Sequence, residues 1–520
     1  MAAKKIQVYD TTLRDGSQGE GISFSVQDKL LIARRLDEMG FDFIEGGWPG
    51  ATPKDVEFFE KMKGEKLKHA RLAAFGSTMK PNGKAEDDAV LNGLVAAGTS
   101  VITIFGKSWD LHVREVFKVP LEENLRMISE SVKYLRSKGK TVIYDAEHFF
   151  DGYAANPEYA LHTLEAARDA GAETLVLCDT NGGGIPSRIA KVVAEVAVRV
   201  KHPLGIHTHN DSACAAANAI AAVESGAIQV QGTVNGIGER CGNCDLIPVI
   251  ADLQLKLGLD CLPAEKLKDF TKLSLYVNEV CNMVPAKGQP YVGQSAFAHK
   301  GGVHIDAVKK NPETYEHVNP EVVGNHRKHL VSEVGGRTNI MLKAQELGIE
   351  LKKDAPETKK ILYEVQRLEN EGYQFEGAEA TVELLIRQEI GQRRDFFRAT
   401  AEIKSERIGE ENPNVTAVVH VDVEGKKKDV TKTGDGPVDA LGKALQEALS
   451  EFYPGVSEVE LDDYKVRIVN SHEGTAAKVR VVIEFHDKDR VWATVGVSTN
   501  IIEASWKALI DAYRYKLALR

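Results

Sequence analysis

From Ile6 onward, short apolar runs alternate with amphipathic stretches in an almost unbroken rhythm. The runs fall at residues 6–9, 41–45, 71–75, 101–105, 141–144, 174–178, 204–206 and 228–234. Each is short enough for a buried strand. After each comes a segment with apolar residues at helical spacing, as in "SVQDKLLIARRLDEMG" (25–40) and "NPEYALHTLEAARDAG" (156–171). Gly40, Gly98, Gly139, Gly171 and Gly226 stand where several of these helices should end in a left-handed cap. Eight strand–helix units over residues 1–262 have the count and size of a (β/α)8 TIM barrel of about 250 residues. A doubly wound open sheet is the competing α/β arrangement. The regular eightfold count and the lack of a glycine-rich dinucleotide turn favour the barrel.

Past residue 262 the rhythm stops. Residues 263–392 read as a mostly helical linker region with a Gly/His-rich stretch, "SAFAHKGGVHIDAVKKNPETYEHVNPEVVGNHRKH", followed by two charged helices up to about 390. Over 393–520 period-two alternation appears in "FRATAEIKS", "VTAVVHVDV", "YKVRIVN", "KVRVVIEF" and "RVWATVGVS". "PVDALGKAL" (437–445) and "IIEASWKAL" (501–509) agree at the acid, the alanine and the Lys-Ala-Leu positions, 64 residues apart. Each opens a helix after a set of strands, so an α+β C-terminal domain of two β-β-β-α halves is expected. It carries no catalytic cluster and reads as a dimerisation or a ligand-sensing module. Lys426, Lys427 and Lys428 are expected at an exposed hairpin turn.

Composition narrows the function classes. A chain of 520 residues exceeds one compact core and predicts two to four domains. With 43% hydrophobic and 27% charged residues it has an ordinary globular balance. A net charge of -10 gives no electrostatic reason to expect nucleic acid as a partner. No segment approaches the roughly 20 apolar residues of a membrane helix, and "MAAKKIQVYD" lacks the apolar core of a signal peptide. Six cysteines form no disulfide framework, so a reducing, cytoplasmic location is expected.

In such a barrel the chemistry stands at the C-terminal ends of the strands, and here those ends are polar. Strand one leads to Arg14-Asp15, strand five to Glu147-His148, strand six to Asp179-Thr180, strand seven to "HTHND" and strand eight to "NGIGERCGN". His207 and His209 are two apart, so on a strand both imidazoles face the same side and can share one metal. Asp15 is a natural third ligand and Asn243 offers an amide oxygen. Two nitrogens and two oxygens leave positions open for substrate and water. Cys241 and Cys244 form a single C-x-x-C with no second pair, which argues against zinc. "NGGG" (181–184) lacks the full nucleotide fingerprint.

"DTTLRDGSQ", "HTHND", "GERCGN" and "GGVHIDAV" together closely resemble the DRE-TIM metallolyases, in the group of isopropylmalate, homocitrate and citramalate synthases. The resemblance covers nearly the whole chain, including a C-terminal part similar to the family's amino-acid-sensing regulatory domain. It implies an acyltransferase that condenses acetyl-CoA with a 2-oxo acid and then hydrolyses the thioester. It further implies that Asp15, His207, His209 and Asn243 hold a divalent metal (Mg, Mn, Zn or Co), and that Arg14 stabilises the oxyanion growing on the former ketone. Thr180 matches the position that binds the substrate carboxylate, and Glu147 the glutamate that positions acetyl-CoA. His304, assisted by Tyr315, matches the base that takes the methyl proton. In homologues its segment reaches the neighbouring protomer's barrel mouth, which implies a homodimer or higher homo-oligomer. His299, His326 and His329 have no motif support and read as packing or surface residues.

"EGGWPG" (45–50) and "YDAEHFFDGY" (144–153) depart from the patterns usual in isopropylmalate synthases and look like the citramalate branch, which uses pyruvate. On this reading Trp48, Phe149, Phe150 and Tyr153 narrow the mouth to favour a methyl substituent, and isoleucine is the candidate effector. The competing expectations are a 2-oxoisovalerate-using isopropylmalate synthase, a homocitrate synthase, a lyase or aldolase of the same fold, and a non-catalytic amino-acid sensor.

Overall fold

Eight parallel strands close on themselves in sequence order: β1 (Gln7–Asp10), β2 (Phe43–Gly47), β3 (Arg71–Ser77), β4 (Val101–Lys107), β5 (Thr141–Glu147), β6 (Thr174–Asp179), β7 (Leu204–Thr208) and β8 (Gln229–Gly232). The ring is sealed where β8 pairs with β1, Gln7 opposite Gln229 through Asp10 opposite Gly232. The computed structural model describes residues 4–519 other than 51, 330–335, 347–348, 350, 353, 376–377, 393, 406–414, 470–476 and 489. The expected domain limit at 393 lies outside the described residues, as does the side chain of His329.

The strands read as apolar runs because both of their faces are buried. Val8, Ile44, Ala74, Ile102, Val142, Leu175, Ile206 and Val230 point outward into the layer of helices. Tyr9, Phe43, Ala73, Val101, Ile143, Val176 and Cys178 point inward and fill the barrel's own interior as a separate cluster. Two residues further along β2, β4 and β5, the same inward face turns polar: Glu45, Thr103 and Asp145. His207 and Gln231 join them, since register sets His207 beside both Cys178 and Gln231, and Gln231 beside Tyr9. That change, from an apolar floor to a polar rim, locates the site before any motif is consulted.

The helices start and stop on local signals. The helix Val26–Met39 opens on a reciprocal capping box between Ser25 and Asp28 and closes on Gly40 at φ 88°. Its Asp37 accepts from the backbone amides of Lys68, His69 and Ala70, each at 2.8 Å, which ties the helix to the approach to β3.

The chain divides into two compact units, Met1–Phe297 with Val318–His326, and Ala298–His317 with Arg327–Arg520. In the second unit the helices Gly336–Glu346, Pro356–Asn370 and Glu379–Glu389 follow one another, three where two were expected. The first of them has almost no amphipathic pattern, so periodicity could not announce it.

The repeated halves are three-stranded antiparallel sheets, each followed by a helix: Arg398–Ser405, Val415–Val423 and Lys426–Gly434 before Pro437–Ser450, then Glu460–Ile468, Val479–His486 and Val491–Ser498 before Ile501–Ala518. The lysine run is not a turn. The turn is Glu424-Gly425, both at positive φ, and the lysines begin the next strand, an outer one in which Val430 alone is buried. A strand with so little apolar alternation gives no period-two signal. Among the described residues no helix is long and apolar enough to cross a membrane.

Candidate active site

The chain leaves β1 and folds at once into a tight helical turn, with the amides of Arg14, Asp15 and Gly16 all directed at the carbonyl of Thr11. Neighbours on a strand would point apart; on this turn Arg14 and Asp15 both face the barrel mouth's polar ring. The Arg14 guanidinium donates to Glu45 Oε1 at 2.6 Å, lies 3.4 Å from Asp15 Oδ2 and stacks 3.7 Å over the Phe75 ring. Glu45 is held on its other oxygen by the Tyr9 hydroxyl at 2.7 Å. Burial disfavours the Arg14 charge, but Asp15 and Glu45 more than offset it and fix the guanidinium as a cation.

Asp15, His207 and His209 converge, and their donor atoms all lie within 4.8 Å of one another. Asp15 Oδ2 is 3.3 Å from His207 Nε2, and the two Nε2 atoms of the histidines are 3.3 Å apart. Burial opposes the Asp15 charge, yet Arg14 first and His207 next hold this carboxyl far below the usual carboxylate range. His209 is pushed down to about 3 by burial and by the neighbouring His207. Burial also works against a charged His207, but its hydrogen bond to Asp15 overrides it and raises the group. Two imidazoles and a carboxylate packed this closely need a proton or a cation between them.

Asn243 lies across from His209 on the backbone. Its amide nitrogen donates to Ile237, and its buried oxygen has no hydrogen-bond partner among the described residues. Gly238, at φ 157°, makes room for it, since a Cβ there would lie 2.1 Å from the Asn243 amide. A buried amide oxygen left without a partner can accept from a donor or bind a cation.

Around this cluster, Glu147 pairs with Lys107 from the tip of β4. The Thr180 hydroxyl oxygen accepts from the amide of His148 at 2.8 Å, so its own proton is free to donate. Arg240 clamps the carbonyl of Thr180 at 2.7 Å while paired with Asp211. Deeper, Asp145 is pushed up to about 7, by burial first and by Glu45 second. Trp48 meets Phe75 and Phe105 edge-on, at 6.0 and 5.7 Å.

The other aromatics expected at the mouth are elsewhere. After His148 the chain enters the helix Phe149–Ala155, which turns Phe149 and Phe150 into the core between helices and barrel, and the Tyr153 hydroxyl donates to Glu195. Cys241 is exposed and Cys244 buried, both free. In the second unit, the ring of His304, on the helix Gly302–Lys310, stacks on Tyr315 at 4.2 Å, and both are exposed. His299 is bound instead to the buried Glu316, which Arg327 grips with two bonds of 2.5 Å.

Glu45, Lys107 and Gln231 are the site residues that sequence reading passed over. Glu45 and Gln231 sit inside a strand, where a polar residue looks like an interruption of an apolar run, and Lys107 ends one. The available signal was parity: Glu45 is two after Phe43, Lys107 two after Phe105, and Gln231 two after Gln229.

The HMGL-like profile matches residues 5–277, the whole barrel with its rim. The chain belongs to the HMGL-like family. Beyond the HMGL-like part, a homocitrate synthase post-HMGL domain matches 291–372 and the LeuA allosteric (dimerisation) domain matches 376–517. The (R)-citramalate synthase of Aquifex aeolicus (strain VF5) is 54% identical over 518 residues, 99% of this chain and 98% of its own. That of Geobacter sulfurreducens is 51% identical over 514 residues, 98% and 97% of the two chains. The 2-isopropylmalate synthase of Methanocaldococcus jannaschii is 30% identical over 522 residues, 99% and 95%. Membership in this metallolyase family implies a divalent metal, and the donors gathered at the mouth fit one.

Proposed function

We propose that the chain is a citramalate synthase that joins acetyl-CoA to pyruvate and hydrolyses the resulting thioester, giving (R)-citramalate and CoA. The observation that carries the reading is full-length identity of 54% to an (R)-citramalate synthase against 30% to a 2-isopropylmalate synthase. Asp15, His207, His209 and Asn243 would hold the metal. With two imidazoles among four donors, Mn, Co or Zn suits the set better than Mg. When bound, that cation supplies Lewis acidity toward the ketone of the 2-oxo acid.

The chain's own residues do the rest. The free hydroxyl proton of Thr180 donates to the pyruvate carboxylate. Trp48, set against Phe75 and Phe105, restricts the room for the 2-oxo acid's substituent. Glu147, steadied by Lys107, positions the acetyl group. His304, supported by Tyr315 and supplied by the neighbouring protomer, removes a proton from the acetyl methyl, whose carbon then bonds to the ketone carbon. Arg14, aimed by Glu45, stabilises the oxygen on which charge grows, which is worth most near the transition state. That oxygen takes up one proton, balancing the one removed from the methyl, and water then breaks the thioester C–S bond, giving its OH to the acyl carbon and its hydrogen to the sulfur of the released CoA. The proposed assembly is a homodimer or a higher homo-oligomer, the proposed effector of the C-terminal halves is isoleucine, and the six free cysteines suit a cytoplasmic enzyme.

The test is release of free CoA, followed with a thiol reagent, from acetyl-CoA and a panel of 2-oxo acids. Pyruvate should give the highest kcat/KM, with citramalate as the product by mass spectrometry. Faster turnover of 2-oxoisovalerate would make the chain an isopropylmalate synthase. No CoA release with any 2-oxo acid would favour a lyase or a sensor. Isoleucine should inhibit and raise the melting temperature; neither effect at saturation would remove it as effector.

A further inference from the structure

On β8, Gln231 stands in register with His207, and its side chain spans two groups: Oε1 lies 3.0 Å from His207 Nδ1, and Nε2 donates to Asp145 Oδ1 at 3.1 Å. All three residues are buried, so no bulk water competes for either end. An amide has one donating and one accepting end. Asp145 takes the donating end, so the carbonyl must face His207, and Nδ1 must carry the hydrogen. In the neutral imidazole, the form that binds a metal, the lone pair of His207 is then on Nε2, the nitrogen that faces Asp15 and His209.

We infer that Gln231 and Asp145 are positioning residues, which fix one tautomer of His207 and aim its Nε2 lone pair at the metal. The inference rests on the metal-binding reading of Asp15, His207 and His209. An apolar pair would fill the same space without the cost of burying an amide and a carboxyl. Such outer partners typically change metal affinity by about 10–100-fold when removed.

The test is Mn2+ titrated into the metal-stripped full-length chain, with unbound Mn2+ read by electron paramagnetic resonance. Asp15→Ala should abolish tight binding. Gln231→Met, of similar length but without the acceptor, should weaken it by about 10–100-fold. Asp145→Asn frees the amide to turn over and should also weaken it. The paired exchange Gln231→Glu with Asp145→Asn restores one donor and one acceptor in the reversed order, and should recover wild-type affinity. If Gln231→Met binds as wild type while Asp15→Ala does not, the relay is wrong and the metal reading stands. A paired exchange no better than Asp145→Asn alone also overturns the relay, even where Gln231→Met fails to fold. If Asp15→Ala binds as wild type, the metal reading falls and the relay falls with it.

Discussion

The barrel rim and the strand Val415–Val423 are both built on period-two alternation, yet their inward faces are opposites. Along Val415–Val423 every inward residue is apolar: Val415, Ala417, Val419, Val421 and Val423. They meet Ala440, Leu441, Ala444, Leu445 and Ala448 of the helix Pro437–Ser450 in one core. In the barrel the inward face starts apolar and ends in Glu45, Thr103, Asp145, His207 and Gln231. The first pattern spends its inward positions on packing. The second buries charges and amides that packing alone would reject, and holds them by a connected set of bonds. A buried polar residue is tolerated at the rim because another side chain answers it, and that mutual dependence distinguishes a site from a core.

Four substitutions test this contrast. The largest effect is expected at the rim itself: His209→Ala should lose the metal and reduce CoA release by at least about 1,000-fold, measured by metal analysis and the thiol assay. In the C-terminal core, Leu445→Ala should cost about 2–5 kcal/mol in a denaturant titration and leave metal content unchanged. Glu45→Gln keeps the shape but removes the charge that aims Arg14. It should lower kcat by about 10–100-fold, with metal content retained, in steady-state kinetics. Lys427→Glu, on the exposed edge strand, should change stability by under about 0.5 kcal/mol; a larger loss in the same titration would mean that this edge is covered.

Most of the architecture was legible because an apolar run and an amphipathic stretch alternated through the barrel, with a glycine cap at several of the helices. The two histidines were legible because their spacing survives folding unchanged, and Asp15 because it follows a strand directly. Gln231 was not, since its meaning depends on His207, 24 residues away in sequence and adjacent only once the sheet closes. Glu45 likewise acquires its role from Tyr9 on β1 and from Arg14 on the turn that follows it. Phe149, Phe150 and Tyr153 misled because residues just past a strand tip were read as mouth, whereas the chain had already entered a helix that faces the core. The helix Gly336–Glu346 and the strand Lys426–Gly434 were missed for one reason: neither divides apolar from polar residues along its length.

Arg14 and Asp15 are adjacent in sequence, and we propose separate duties for them: Asp15 holds the metal and Arg14 meets charge on the reacting oxygen. The most direct test is metal content and CoA release measured together on Arg14→Ala and Asp15→Ala. Arg14→Ala should keep a stoichiometric metal and lose about 100–1,000-fold in turnover, while Asp15→Ala should lose both. Metal retained by Asp15→Ala, or turnover retained by Arg14→Ala, would contradict this division of duties.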